Sequence, residues 1–93
     1  MTVERLERTQ LEAIPPALRA ALPSAEPAEA WWVHFVESRR PAPLLWLTAR
    51  SEAFILDSEQ VFTVSAAGPY AAAQQHFGPQ IPYPSRPEEG TSW

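Results

Sequence analysis

The sequence predicts a small α+β protein that consists of an N-terminal amphipathic helix, a four-stranded antiparallel β-meander and a short C-terminal helix. Three observations lead to this prediction. Residues 30–66 are dense in Trp, Phe, Val, Leu and Ile with short polar breaks, residues 3–22 carry apolar side chains at helical spacing, and three consecutive alanines lie further on. A chain of 93 residues has the size of one domain, which we place at 1–78, with a proline-rich tail at 79–93.

The N-terminal helix is predicted from apolar residues that recur at steps of three, four and five, with charged residues between them. Thr2 precedes this pattern and is a suitable N-cap. Pro15 and Pro16 lack the amide hydrogen that a helix interior requires, so we expect a kink near Ile14 and a second helical segment that ends near Leu22. The apolar stripe consists of Val3, Leu6, Leu11, Ile14, Leu18 and Leu22.

Four short apolar runs predict the strands, at residues 30–38, 44–50, 53–57 and 61–66. The connections between them are too short for a crossover, so successive strands are expected to pair as antiparallel neighbours in chain order. The last connection begins with Asp57, which is typical of a type I turn.

The C-terminal helix is predicted to begin at Gly68 and Pro69, because proline suits the first turn of a helix. Gly78 is expected to end this helix in a left-handed conformation. Four of the fifteen residues at 79–93 are prolines, a composition that prevents a regular hydrogen-bonded ladder and therefore predicts a tail.

The first two predicted strands are apolar on both faces, although an antiparallel sheet in a monomer usually leaves one face to water. Side-chain alternation puts Trp32 and Val36 on one face of the first strand, and Leu44 and Trp46 on one face of the second. We expect all four to form one aromatic patch that the two predicted helices leave uncovered. The patch predicts a protein partner, a homodimer, or both.

Further contact residues are predicted outside the strands. Arg39 and Arg40 lie at the tip of the first hairpin, where they can hold a carboxylate or phosphate group of a partner, although a solvated turn explains them as well. Tyr83 lies between two Pro-x-x-Pro spacings of the tail, a pattern that suits recognition by a partner. The same tail can instead fold back over its own sheet.

The composition predicts no cofactor, no metal and no catalytic residue. The chain has three glycines, no cysteine and two histidines, His34 and His76, without metal-binding spacing. Seven basic and eleven acidic residues give a net charge of −4, which disfavours nucleic acid. With no signal-peptide pattern, no run near the ~18 apolar residues of a membrane span, and no cysteine, we expect a cytoplasmic protein without membrane association.

These observations favour a small non-enzymatic protein-binding module that acts through its aromatic sheet face and its tail. An assembly subunit, or an inhibitor encoded by a phage or another mobile element, is a protein of this kind. The alternative is a small-ligand-binding protein or an enzyme whose pocket lies between sheet and helices and is lined by His34 and Trp46. The two hypotheses differ in whether the apolar surface faces a macromolecule or encloses a ligand.

Overall fold

A computed structural model describes residues 1–23 and 26–78 of the chain, and these residues form an α+β fold with five antiparallel strands and two short α-helices. The strands are β1 (Val3–Thr9), β2 (Glu29–Phe35), β3 (Ala42–Leu47), β4 (Glu52–Asp57) and β5 (Gln60–Ser65). The helices are α1 (Pro16–Arg19), which follows a single 3-10 turn at Leu11–Ala13, and α2 (Pro69–Phe77). The predicted tail at 79–93 and the proposed contact residue Tyr83 lie outside the described residues, and the domain limit at residue 78 stays a prediction.

The sheet is a meander in which every strand is antiparallel to the next one along the chain, in the order β1-β2-β3-β4-β5. The four predicted strands correspond to β2, β3, β4 and β5, and their antiparallel pairing in chain order is confirmed. The prediction of only four strands is wrong, because the described residues contain a fifth strand at the N-terminal end.

The predicted N-terminal amphipathic helix is wrong in its first part, where residues 3–9 form β1. The pairing of β1 with β2 shifts register between Val3 and Arg5, which is the signature of a β-bulge. In a regular strand Val3 and Leu6 would point to opposite faces, but the extra residue turns both toward the same apolar cluster. Because of the bulge, two residues of this strand that share a face are three positions apart. That spacing is also typical of a helix, which is why a helix was predicted.

One face of the sheet, called the α2 face, packs against α2. Its core includes the fully buried Val33, Leu44 and Ile55 from the three central strands. Helix α2 contributes two small alanines that allow close approach to the sheet, and Phe77, whose ring meets that of Phe35 edge-on at 4.8 Å. This arrangement gives α2 an apolar face of only Ala72, Ala73 and Phe77.

The opposite face, called the α1 face, is covered over part of its area by the 3-10 turn and α1. Ile14 and Leu18 are fully buried there against Leu45 and Leu47 of β3. Arg19 Nε donates to the carbonyl oxygen of Ile14 at 2.8 Å and so closes the bend between the two short segments. The break predicted at Pro15 and Pro16 is present, and α1 is a single turn that depends on this packing because so short a helix is unstable alone.

Helix α2 begins at Pro69 after an extended Gly68, as predicted, but Gly78 does not end it in a left-handed conformation. Gly78 has φ −61° and ψ 163°, and its amide donates to the carbonyl oxygen of Gln74 at 2.8 Å. A Cβ at this position would lie 2.3 Å from that oxygen, so glycine is required by close approach and not by backbone conformation. Neither α-helix of the described ranges is long and apolar enough to cross a membrane.

The β4–β5 turn is not the predicted type I. Ser58 and Glu59 form a two-residue connection between the paired residues Asp57 and Gln60, and their φ angles are 53° and 64°. Two central residues with positive φ define a type I′ turn, whose twist matches that of the flanking strands. Neither residue is glycine or asparagine, so the turn carries a conformational cost.

Replacing Ser58-Glu59 by Asn-Gly is expected to stabilise the protein by about 1 kcal/mol, because both new residues tolerate positive φ. For a domain of this size the midpoint of thermal unfolding should rise by roughly 4–8 °C. Differential scanning calorimetry measures the shift. The variant Ser58→Val serves as the opposite control, because a β-branched residue at positive φ should lower the midpoint. An Asn-Gly variant that melts at or below the wild-type temperature would contradict the turn assignment.

Candidate protein-binding surface

The predicted aromatic patch does not form, because the structure divides its residues between the two faces of the sheet. The register of β2 and β3 places Leu44 opposite Trp31, whereas Trp32 is opposite Pro43. Trp32 is therefore on the α1 face, and Leu44 and Trp46 are on the α2 face, where they are 0% and 5% exposed. These two residues belong to the core of the monomer.

The other predicted contact residues lie in the loop between β2 and β3. Val36 was predicted to lie on one face of the strand because side chains alternate along it. Strand β2 ends at Phe35, however, so Val36 lies in the loop, where it is 65% exposed. Arg39 and Arg40 are exposed in the same loop, as a solvated turn requires. The amide of Arg40 donates to Ser38 Oγ at 3.1 Å.

The start of this loop is attached to the N-terminus by hydrogen bonds. The amide of Val36 donates to the Thr2 carbonyl oxygen at 3.0 Å, and the amide of Thr2 donates to Glu37 Oε1 at 2.8 Å. The hydrogen bonds from Thr2 stabilise the charged carboxylate, and they hold the pKa of Glu37 below its ordinary value. These contacts hold the first residues of the loop beside the start of β1.

Four apolar residues on four neighbouring strands lie side by side on the α1 face, and we call them the open row. Trp32 pairs with Pro43 and Leu56 pairs with Val61, and the register of β3 with β4 places Pro43 next to Leu56. Pro43 is buried, Trp32 and Leu56 are half-buried, and Val61 is 40% exposed. Trp32 and Leu56 also pack against the cluster beneath α1, so these two members connect the open row to the core of this face.

Charged side chains border the open row at its β1 end. Glu7 is the cross-strand neighbour of Trp32, and its Oε1 lies 2.8 Å from His34 Nε2 and 4.0 Å from Arg5 Nη1. Arg5 and Glu7 remain more than half exposed, so these contacts leave both charges accessible to solvent. The arrangement is an apolar strip with a polar rim, as in the contact surfaces of many protein complexes.

Sequence reasoning identified Trp32 but missed the other members of the open row. The sequence pattern places Pro43 in the turn before the second predicted strand. It places Leu56 and Val61 in two different predicted strands. The available signal was the alternation along each strand, which places Leu56 on the same face as Phe54. Alternation shows which residues of one strand share a face. It does not show which residues of the next strand lie on that same face of the sheet.

His34 and Trp46 do not line a common pocket, as the hypothesis of a ligand-binding protein or enzyme requires. His34 lies on the α1 face, and Trp46 lies on the α2 face, so the sheet separates them. Among residues 1–23 and 26–78 there is no detected cavity and no group of three or more metal-ligating side chains.

The second histidine, His76, joins α2 to the end of β4. Its Nε2 lies 2.9 Å from Asp57 Oδ2, and its ring packs 4.7 Å from that of Phe62 on β5. The side chain of His76 is 16% exposed and that of Asp57 is 41% exposed. This contact links α2 to the end of β4, and that structural role accounts for both residues.

Comparison of the chain with protein-family models, with curated proteins and with solved structures finds no match.

Proposed function

We propose that the protein is a non-enzymatic, cytoplasmic protein-binding module whose contact surface is centred on the open row. The observation that supports this proposal is the partial exposure, on one sheet face, of Trp32, Leu56 and Val61, with the buried Pro43 between the first two. Isolated exposed apolar residues are ordinary, but a contiguous apolar strip beside a polar rim is typical of a binding surface. The partner is a protein, and an assembly subunit or an inhibitor would use such a surface.

Trp32 is the proposed anchor of this surface. Tryptophan is enriched among the residues that contribute most to binding energy, because it buries a large area and loses little conformational freedom. Complete burial of one large apolar side chain contributes roughly 1.5–3 kcal/mol, and Leu56 and Val61 extend the buried area beyond Trp32. The neighbouring Pro43 is already buried, so it serves as a rigid floor between Trp32 and Leu56.

The exposed loop residues supply the polar part of the proposed contact. Arg39 and Arg40 are four and five residues beyond Phe35, the last residue of β2, and lie at the same end of the sheet as Val36 and the β4–β5 turn. Two exposed guanidinium groups suit carboxylates of a partner, and bidentate pairing would fix its orientation. Arg39 and Arg40 are therefore retained as contact residues, whereas Leu44 and Trp46 are not.

The substitution Trp32→Glu is expected to abolish partner binding and to leave the fold intact, because it places a charge at the centre of the contact while the side chain is only half-buried in the monomer. The full-length protein, immobilised and exposed to lysate of its source cells, should retain a defined partner that quantitative mass spectrometry identifies. The matched control is Tyr70→Glu, which makes the same type of change at an aromatic residue that is 46% exposed on α2.

The proposal requires that the partner be retained by the wild type and by Tyr70→Glu and be lost with Trp32→Glu, with circular dichroism spectra that are the same for all three proteins. Equal retention by all three proteins would show that the partner binds elsewhere. Ligand-dependent stabilisation of the wild type by small metabolites, without any macromolecular partner, would favour a ligand-binding protein instead.

A further inference from the structure

The two edge strands of the sheet differ in how they are protected against pairing with another chain. Four of the seven residues of β1 are charged, and the strand contains a bulge, and both features discourage further strand addition. Strand β5, with the sequence Gln-Val-Phe-Thr-Val-Ser, has no charged residue, no proline and no glycine. It pairs with β4 in regular register over all six residues, so this pairing contains no bulge.

The free edge of β5 presents backbone hydrogen-bonding groups in regular order. Asp57 and Gln60 flank a two-residue turn, so they form a hydrogen-bonded pair. In an antiparallel ladder such pairs alternate with non-hydrogen-bonded pairs, so from Gln60 onward every second residue of β5 bonds to β4. The bond from the Ala66 amide to the Ser51 carbonyl oxygen at 3.2 Å continues the same alternation. The amides and carbonyls that point away from β4, and that bond to no other described residue, belong to Val61, Thr63 and Ser65.

We propose that a second copy of this chain binds to this edge, with the two β5 strands antiparallel about a two-fold axis at Thr63. In this register Thr63 pairs with itself across the axis, and Val61 pairs with Ser65 of the partner subunit. All three outward-facing residues of each chain then exchange both of their hydrogen bonds, which no other symmetric register of this strand achieves. The result is one continuous antiparallel sheet of ten strands.

The side chains of β5 are complementary to a copy of themselves in this register. On the α2 face, Phe62 lies opposite Val64 of the partner subunit, and aromatic residues pair favourably with β-branched residues across strands. On the α1 face, two threonines meet at the axis. Within Gln60–Ser65 no two like charges face each other, because the strand carries none. This self-complementarity favours a second copy over an unrelated strand, and a small interface of this kind should bind weakly.

The dimer has a consequence for the proposed function without depending on it. A two-fold axis perpendicular to the sheet keeps the α1 faces of both subunits on the same side. The two open rows would then lie on one continuous surface and could engage a repeated or two-fold symmetric partner with increased avidity. The dimer itself is inferred from the backbone edge of β5 and not from Trp32.

Thr63→Lys tests the dimer, because its side chain is exposed in the monomer but would meet an identical charge directly across the axis. The matched control is Thr48→Lys, which makes the same change at an exposed position of the β3–β4 turn. Sedimentation velocity of the full chain, from micromolar to hundreds of micromolar, should show a dimer for the wild type and for Thr48→Lys. The dissociation constant of Thr63→Lys should be about tenfold higher or more.

Hydrogen exchange of the Thr63 amide gives a second readout that does not require a variant. We expect protection of this amide in concentrated samples and its loss on dilution. Protection that is independent of concentration would show that the chain itself covers the edge, and would overturn the proposal. A wild-type monomer at hundreds of micromolar, or equal dissociation constants for both lysine variants, would overturn it as well. Trp32→Glu should leave the dimer unchanged, so failure of the proposed function and failure of the dimer are separately visible.

Discussion

Replacement of Trp46 by alanine is expected to remove a large part of the stability of the protein. Trp46 is 5% exposed in the core between the sheet and α2, where it lies close to Ala53 on β4. Truncation of a buried tryptophan costs about 3–5 kcal/mol, through lost burial and the cavity that remains. Since small domains are stable by only about 5–15 kcal/mol, this loss is a large share of the free energy of unfolding.

Urea denaturation measures this effect, with the slope of the transition used to verify two-state behaviour. Trp32→Ala is the matched control, because it removes the same side chain from the adjacent strand on the opposite face, where the indole is half-buried. We expect the control to lose less than half as much free energy of unfolding as Trp46→Ala. Equal losses would mean that Trp32 belongs to the core as much as Trp46, and would remove the anchor of the proposed binding surface.

Replacement of Leu18 by alanine is expected to cost about 2–4 kcal/mol and to release α1 from the sheet. Leu18 is fully buried and is the only buried residue of α1, which has four residues and cannot persist without packing. Its loss should also expose Leu45 and Phe54 beneath it. Hydrogen exchange of the amides of residues 18–22 should accelerate more than that of β3 and β4.

Leu22→Ala provides the comparison for Leu18→Ala, because Leu22 lies at the margin of the same cluster and is only half-buried. It should lose clearly less stability and keep α1 in place. If Leu18→Ala accelerated exchange throughout the sheet to the same extent, α1 would be part of a single cooperative unit and not a separately detachable cover.

The parts of the fold that were predictable from the sequence depend on local signals. Short connections between apolar runs predicted the meander, and proline with flanking glycines predicted α2. Strand β1 could not be predicted in this way, because a bulge gives Val3 and Leu6 a helical spacing although both contact the sheet core. A bulge is defined by the partner strand, so it has no signature in the strand's own residues.

The candidate site was predictable only in part for a related reason. Trp32 was expected to be left uncovered by the helices and is half-buried, but the patch around it was built from the wrong face of β3. The loop at residues 36–41 separates β2 from β3, and alternation cannot be counted through a loop. A change of one residue in register exchanges the two faces, so Leu44 and Trp46 were assigned to the surface although they are in the core.

The meander also determines the order in which its strands can assemble. Formation of the β4–β5 pair closes a loop of two residues, whereas formation of the β1–β2 pair closes the much longer loop at residues 10–28. The entropy lost on loop closure increases with loop length, so the hairpin of β4 and β5 has the lowest entropic barrier and β1 the highest. We therefore expect strand β1 to be the last to join the sheet and the first to leave it. While β1 is detached, β2 is the edge strand of the folded sheet, and both of its tryptophans lie on that edge strand.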